Sequence, residues 1–153
     1  MDSDLLARAV RLAVDNADAG QLPFGALVVR AGDVLATGVN TALRDHDPTA
    51  HAEAVAIRAA CTVLGTVDLG GATVVSSCEP CAMCQTVAVA AGVARIVYAA
   101  RKEAVPDLPG TDDLALRMQA ALRRLAPDRI VHQPIDGADE PFRRYLAARG
   151  RLE

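Results

Sequence analysis

Residues 72–100 read ATVVSSCEPCAMCQTVAVAAGVARIVYAA. The segment opens on a short β-branched run, ATVVSS, and closes on ARIVYAA; both have the length and composition of buried strands. Between them a helical run opens at Pro80, a residue suited to a first helical turn, and stops at Gly92. Two strands joined by a crossover helix pair in parallel, with the helix lying against one face of the sheet. Upstream, apolar positions at helical spacing run from Ser3, a candidate N-cap, to about Ala19, with Gly20 as the stop. FGALVVR and VLATGVN flank the turn Ala31-Gly32-Asp33 and read as a hairpin. After the polar stretch TALRDHDP, a helix is expected from Thr49 to Leu64, ended by Gly65. Downstream, Arg101–Gly110 reads as loop, Asp112–Ala126 as helix, RIVHQPI as a fifth strand and EPFRRYLAARG as a closing helix. The expected fold is α/β: a three-layer helix–sheet–helix sandwich with a five-stranded mixed sheet whose last three strands are parallel. The whole of 1–153 is expected to form one domain.

Composition narrows the function classes. The formal net charge is only −3, and Lys is nearly absent. A protein that grips nucleic acid through a dense basic surface needs clustered cations to neutralise phosphates. The modest cluster Arg143, Arg144, Arg149 and Arg151 fits a solvated helix face. The opening MDSDLLARAV has no basic region followed by an apolar one, and no apolar run approaches the ~20 residues of a membrane span. A cytoplasmic protein with no membrane association is expected. In that compartment Cys61, Cys78, Cys81 and Cys84 are poor candidates for disulfides, and three of them crowd into residues 78–84. Metal binding is the better explanation.

Two segments carry the chemistry, His51-Ala52-Glu53 and Pro80-Cys81-Ala82-Met83-Cys84. Each stands at the start of an expected helix. Cys81 and Cys84, three apart, share one face of a first turn, where the helix dipole and free N–H groups favour thiolate. With His51 as third ligand, the fourth tetrahedral position is left open, as in catalytic rather than structural zinc sites. Glu53, in the first turn of its own helix, can converge on the same point as a general base and then acid. A lone C-x-x-C also suits a redox pair or half a structural zinc site. Cys78, at a strand end, fits a small packed residue better than a ligand, and Cys61 fits the core.

The pairing of H-x-E with P-C-x-x-C resembles the signature of the zinc deaminases, in which the Glu does not bind the metal. LPFGALVV, TGVN, DHDPTAHAEAVAIRAA and SSCEPCAMC extend that resemblance to the cytidine deaminase superfamily, over about Leu22–Ala100. Within it they are similar to the branch holding bacterial guanine deaminases and tRNA adenosine deaminases. Ser77-Cys78-Glu79 and the TAHAE…AIRAAC run are nearer to the guanine deaminases. The resemblance implies one zinc ion per subunit and hydrolytic deamination of a free nucleobase or related amino-heterocycle. Guanine leads, with cytosine, isocytosine and aminotriazines behind it. It also implies that Asn40 contacts the base, that Ala52 offers its backbone and that Phe24 lies near the ring. A structural turn would account for Asn40 otherwise, and core packing for Phe24 equally well.

The resemblance further implies a purine-recognising carboxylate at Asp113, or at Asp112; an N-cap role explains either as readily. It implies a homodimer in which the segment 140–153, with Phe142 and Tyr145, covers its own or the neighbour's site. Ordinary helix packing explains the three-residue spacing of those two rings as well. The chain departs from the pattern in having no Trp and in placing Thr111 where an aromatic is expected. The rival activity is tRNA adenosine deamination, which the arginines of the last helix would serve. A zinc-stabilised binding protein without turnover is a third reading, and the presence of Glu53 speaks against it.

Overall fold

The computed structural model describes residues 2–108 and 112–150. The strands alternate apolar side chains to both faces, and this dictates the layering. From β1 (Gly25–Arg30), β3 (Thr73–Cys78) and β4 (Arg95–Ala100), the residues Ala26, Val28, Val74 and Ile96 point to one side. There they meet α3 (Ala52–Leu64) and α4 (Ala82–Ala90). Leu27, Val29, Val75 and Val97 point to the other side, against Leu6, Ala9 and Val10 of α1 (Asp2–Asp18). With β2 (Asp33–Val39) and β5 (Ile130–His132) at the edges, the sheet order is β2-β1-β3-β4-β5. β1 is antiparallel to β2 and β3, while β3, β4 and β5 run parallel, as expected. α5 (Asp113–Leu125) lies beside α4, and α6 (Glu140–Gly150) packs on α1. Among the described residues no helix is long and apolar enough to cross a membrane.

Glycine sets how closely the layers approach. A methyl group on Gly38 of β2 would overlap the backbone oxygen of Ala52 and the backbone nitrogen of Ala56. Only glycine therefore lets the start of α3 press onto the sheet edge.

Three local expectations are corrected. The first motif helix begins at Ala52, not Thr49, because Asp47 closes a turn, accepting from the Thr49 N–H at 2.8 Å and the Thr49 hydroxyl at 2.7 Å. Pro80 does not open α4: Cys81 is the extended N-cap, with ψ 170°, and the helix starts at Ala82. The TALRDHDP connection holds a short helix, α2 (Ala42–Asp45), which its polar composition hides.

Candidate active site

Parallel strands bring the N-termini of their crossover helices to one end of the sheet, and side chains at those termini converge there. His51 is the N-cap residue of α3, Cys81 that of α4, and Cys84 lies in the first turn of α4. Their ligand atoms all lie within 4.8 Å of one another. His51 Nδ1 is 3.4 Å from Cys81 Sγ and 3.7 Å from Cys84 Sγ. Ligands at ordinary Zn–N and Zn–S lengths and a tetrahedral angle stand about 3.6 Å apart, so the donor set fits one zinc ion. The two thiols are unequal. Cys81 is pushed down to about 4, chiefly by the hydrogen bond from the Cys84 thiol and further by His51. Cys84, which gives that proton and is buried, is pushed up. Cys81 is thus the sulfur that ionises first, and a bound cation would draw the proton from both.

Glu53 is buried beneath this cluster at 6 % exposure. Its Oε1 lies 2.8 Å from the Ser76 hydroxyl, and its Oε2 lies 3.3 Å from Cys84 Sγ. Burial first, and then the neighbouring Cys81, push its carboxyl above the usual range. A carboxyl in that state suits a group that must both take and return a proton. Ser76, which the sequence alone does not single out, fixes which oxygen of Glu53 faces the donors. Cys78 is a core residue packed with Ala100 and Phe142, and burial pushes its thiol up. Cys61 packs at the edge of the core and is partly exposed.

A cavity of about 650 Å³ opens over the cluster. Phe24, Asn40, His51, Glu53 and Cys81 line its floor, and Leu116 and Met118 of α5 form part of its outer wall. Asn40 is 2 % exposed, and its side-chain oxygen accepts from the Ala42 N–H at 3.0 Å. Its backbone oxygen accepts from Asn16 Nδ2 at 2.9 Å. Phe24 both lines the cavity and packs edge-on against Phe142, with ring centroids 5.9 Å apart. Phe142 and Tyr145 line no part of the cavity themselves: they stand behind it, against Phe24 and against Leu22 and Leu108. Lys102, the only lysine of the chain, also lines the cavity, a position composition could have flagged.

Other expected site residues lie elsewhere. Ala52 is fully buried in the core and does not line the cavity. Asp112 caps α5, accepting from the Ala115 N–H at 2.7 Å, and Asp113 is exposed and paired with Arg117. Neither carboxylate reaches the cavity. Thr111 and Arg151 lie outside the described residues. Of the terminal arginines, Arg143 and Arg144 are paired with Asp139, Glu140 and Asp18, and Arg149 stacks over Tyr145.

The comparisons with known proteins point to one family. The family model for the cytidine and deoxycytidylate deaminase zinc-binding region matches residues 1–100. Guanine deaminase of Bacillus subtilis is 50% identical over 80 residues, 52% of this chain and 51% of that protein. The tRNA-specific adenosine deaminase of Aquifex aeolicus is 35% identical over 92 residues, 60% of this chain and 61% of that one. The matched segments thus span between half and two thirds of these relatives. Among solved structures, a guanine deaminase from Nitrosomonas europaea superposes with a TM-score of 0.73 at 26% identity, covering 95% of this chain and 84% of that one. A protein solved in complex with 8-azaguanine superposes with a TM-score of 0.79 at 26% identity, covering 97% and 85%.

Proposed function

The chain belongs to the cytidine and deoxycytidylate deaminase zinc-binding family, and on that premise we propose that it is a zinc-dependent hydrolase that deaminates a free nucleobase or related amino-heterocycle, guanine first among them. The observation that carries the reading is a buried carboxyl, Glu53, set against a His51–Cys81–Cys84 donor set that fits a single zinc ion. Zinc held there would supply Lewis-acid activation of a water molecule. Everything else falls to the chain. Glu53 Oε2, facing the donors, takes a proton from the attacking water as oxygen bonds to the amine-bearing ring carbon. The same carboxyl passes that proton to the adjacent ring nitrogen and then carries the remaining hydroxyl proton to the exocyclic nitrogen, so that the C–N bond breaks, ammonia leaves and the ring carbon becomes a carbonyl. Ser76 keeps the carboxyl in register through both transfers. With its carbonyl oxygen held by Ala42, Asn40 offers amide N–H donors to an acceptor on the ring edge.

Free bases are favoured over tRNA by the 50% identity to a guanine deaminase and by the fold's likeness to a protein holding 8-azaguanine. The tRNA reading draws on the Aquifex relative. It requires free cations for phosphates, whereas Arg143 and Arg144 are engaged by carboxylates of their own chain. The homodimer belongs to the same reading. α6 packs on α1 of its own chain, and swapping that helix between two copies would preserve the same contacts. Sedimentation of a monomer with full activity would exclude it. The substrate is tested by ammonia release from guanine, cytosine, isocytosine, aminotriazines, nucleosides and tRNA. Turnover of guanine or a comparable heterocycle is expected; inosine formed in tRNA with no free base consumed would overturn the reading.

A further inference from the structure

α5 is a wall of the cavity that apolar packing hardly holds. Gln119 is its one buried residue, while Leu114, Met118 and Leu125 are exposed. Polar contacts do the holding, and they centre on Glu79, itself 9 % exposed. Glu79 Oε1 accepts from the Tyr98 hydroxyl at 3.0 Å and from Arg123 Nη1 at 2.6 Å. Its Oε2 accepts from Gln119 Nε2 at 2.7 Å. The Gln119 backbone oxygen accepts from Gln85 Nε2 at 3.3 Å, and the same nitrogen donates to the Pro80 oxygen at 3.0 Å. The Glu79 N–H is pinned to the Ala100 oxygen of β4 at 2.8 Å. The circuit therefore begins and ends on residues 79–85, the loop and helical turn that carry Cys81 and Cys84.

A buried carboxylate is costly unless its oxygens are fully engaged, and here three donors from two elements converge on it. A purely packing role at this point would be met by an apolar side chain at no such cost. What the carboxylate adds is registry between two elements that share little apolar contact.

We propose that Glu79 is a positioning residue whose carboxylate latches α5 to the loop bearing Cys81 and Cys84, setting the cavity's outer wall in register with the reacting centre. The groups assigned to chemistry sit on α3, β3 and α4, outside the latched helix. Releasing α5 thus weakens substrate binding while leaving the chemical step largely intact. The kinetic half of the proposal rests on the guanine reading; the mechanical half does not.

The test uses Arg123→Met, which lies outside the cavity lining, together with Glu79→Gln and Glu79→Ala. Amide hydrogen exchange in α5, zinc content and guanine kinetics are measured on each. In Arg123→Met the α5 amides should exchange about tenfold faster, since local opening follows the lost charged hydrogen bond, while those of α3 keep their protection. Zinc per chain should be unchanged. For guanine, KM should rise roughly tenfold with kcat within about twofold. Glu79→Gln, whose amide oxygen still accepts, should be affected less than Glu79→Ala. Unaltered α5 exchange in Arg123→Met would overturn the latch. So would a fall in kcat with KM unchanged, or uniform loss of protection together with loss of zinc. A wild-type protein that leaves guanine untouched refutes the substrate reading alone, because the exchange experiment needs no substrate.

Discussion

Two helices of 13 residues, α3 and α5, border the same cavity and are held in opposite ways. α3 buries Ala52, Glu53, Ala54, Ala56, Ile57 and Ala60 and sits so close to β2 that Gly38 can carry no side chain. α5 buries Gln119 alone and hangs on hydrogen bonds to Glu79. Burial of apolar area is non-directional and strong, and close packing leaves little freedom, so the helix with the catalytic candidate Glu53 is fixed. Hydrogen bonds contribute less each but are directional, so the helix that shapes the cavity is fixed in orientation without a core beneath it.

The sharpest break in that contrast comes at the metal donors. Cys84→Ala should leave the protein without zinc and without deamination, and should lower its thermal midpoint, because the ion would tie the starts of α3 and α4 together. Metal analysis of the purified variant checks this; a full complement of zinc would remove Cys84 from the ligand set. Next in size, Ile57→Ala removes a side chain buried to 4 % exposure in the core under α3. A loss of about 2–5 kcal/mol in denaturant unfolding is expected. Gly38→Ala should cost about 1–3 kcal/mol by pushing α3 away from β2, and should reduce zinc affinity too, because His51 moves with the helix. The smallest effect belongs to α5: Leu125, 80% exposed, should be replaceable by Ala within about 0.5 kcal/mol. Were Leu125→Ala to cost as much as Ile57→Ala, the two helices would be held alike and the contrast would fail.

Legibility in the sequence follows the same division. Strand–helix–strand alternation is a local signal, and it is enough to make the last three strands parallel and to set His51, Glu53, Cys81 and Cys84 at the starts of two helices. Local signals fail where a residue's role depends on a distant partner. Glu79 stands beside the recognised cysteines, yet Gln119 and Arg123, which engage it, lie in the next helix but one, and no periodicity links them. Ser76 reads as one more strand residue until Glu53 is found 2.8 Å away. Asp112 and Asp113 show where two readings compete: a family pattern points to a substrate contact, an N-cap role is equally open, and in the structure Asp112 caps α5 while Asp113 pairs with Arg117. α2 is too short for its helical pattern to emerge from a polar connection.

The central claim is that Glu53 moves the protons beside a metal it does not hold. It is tested most directly by assaying Glu53→Gln for ammonia release and zinc on the same sample. The amide keeps the shape and can still accept from Ser76, but it cannot take a proton from water. One zinc per chain with turnover reduced about 10²–10⁴-fold is the predicted result. A zinc-loaded Glu53→Gln protein that turns over at close to the wild-type rate would contradict the account.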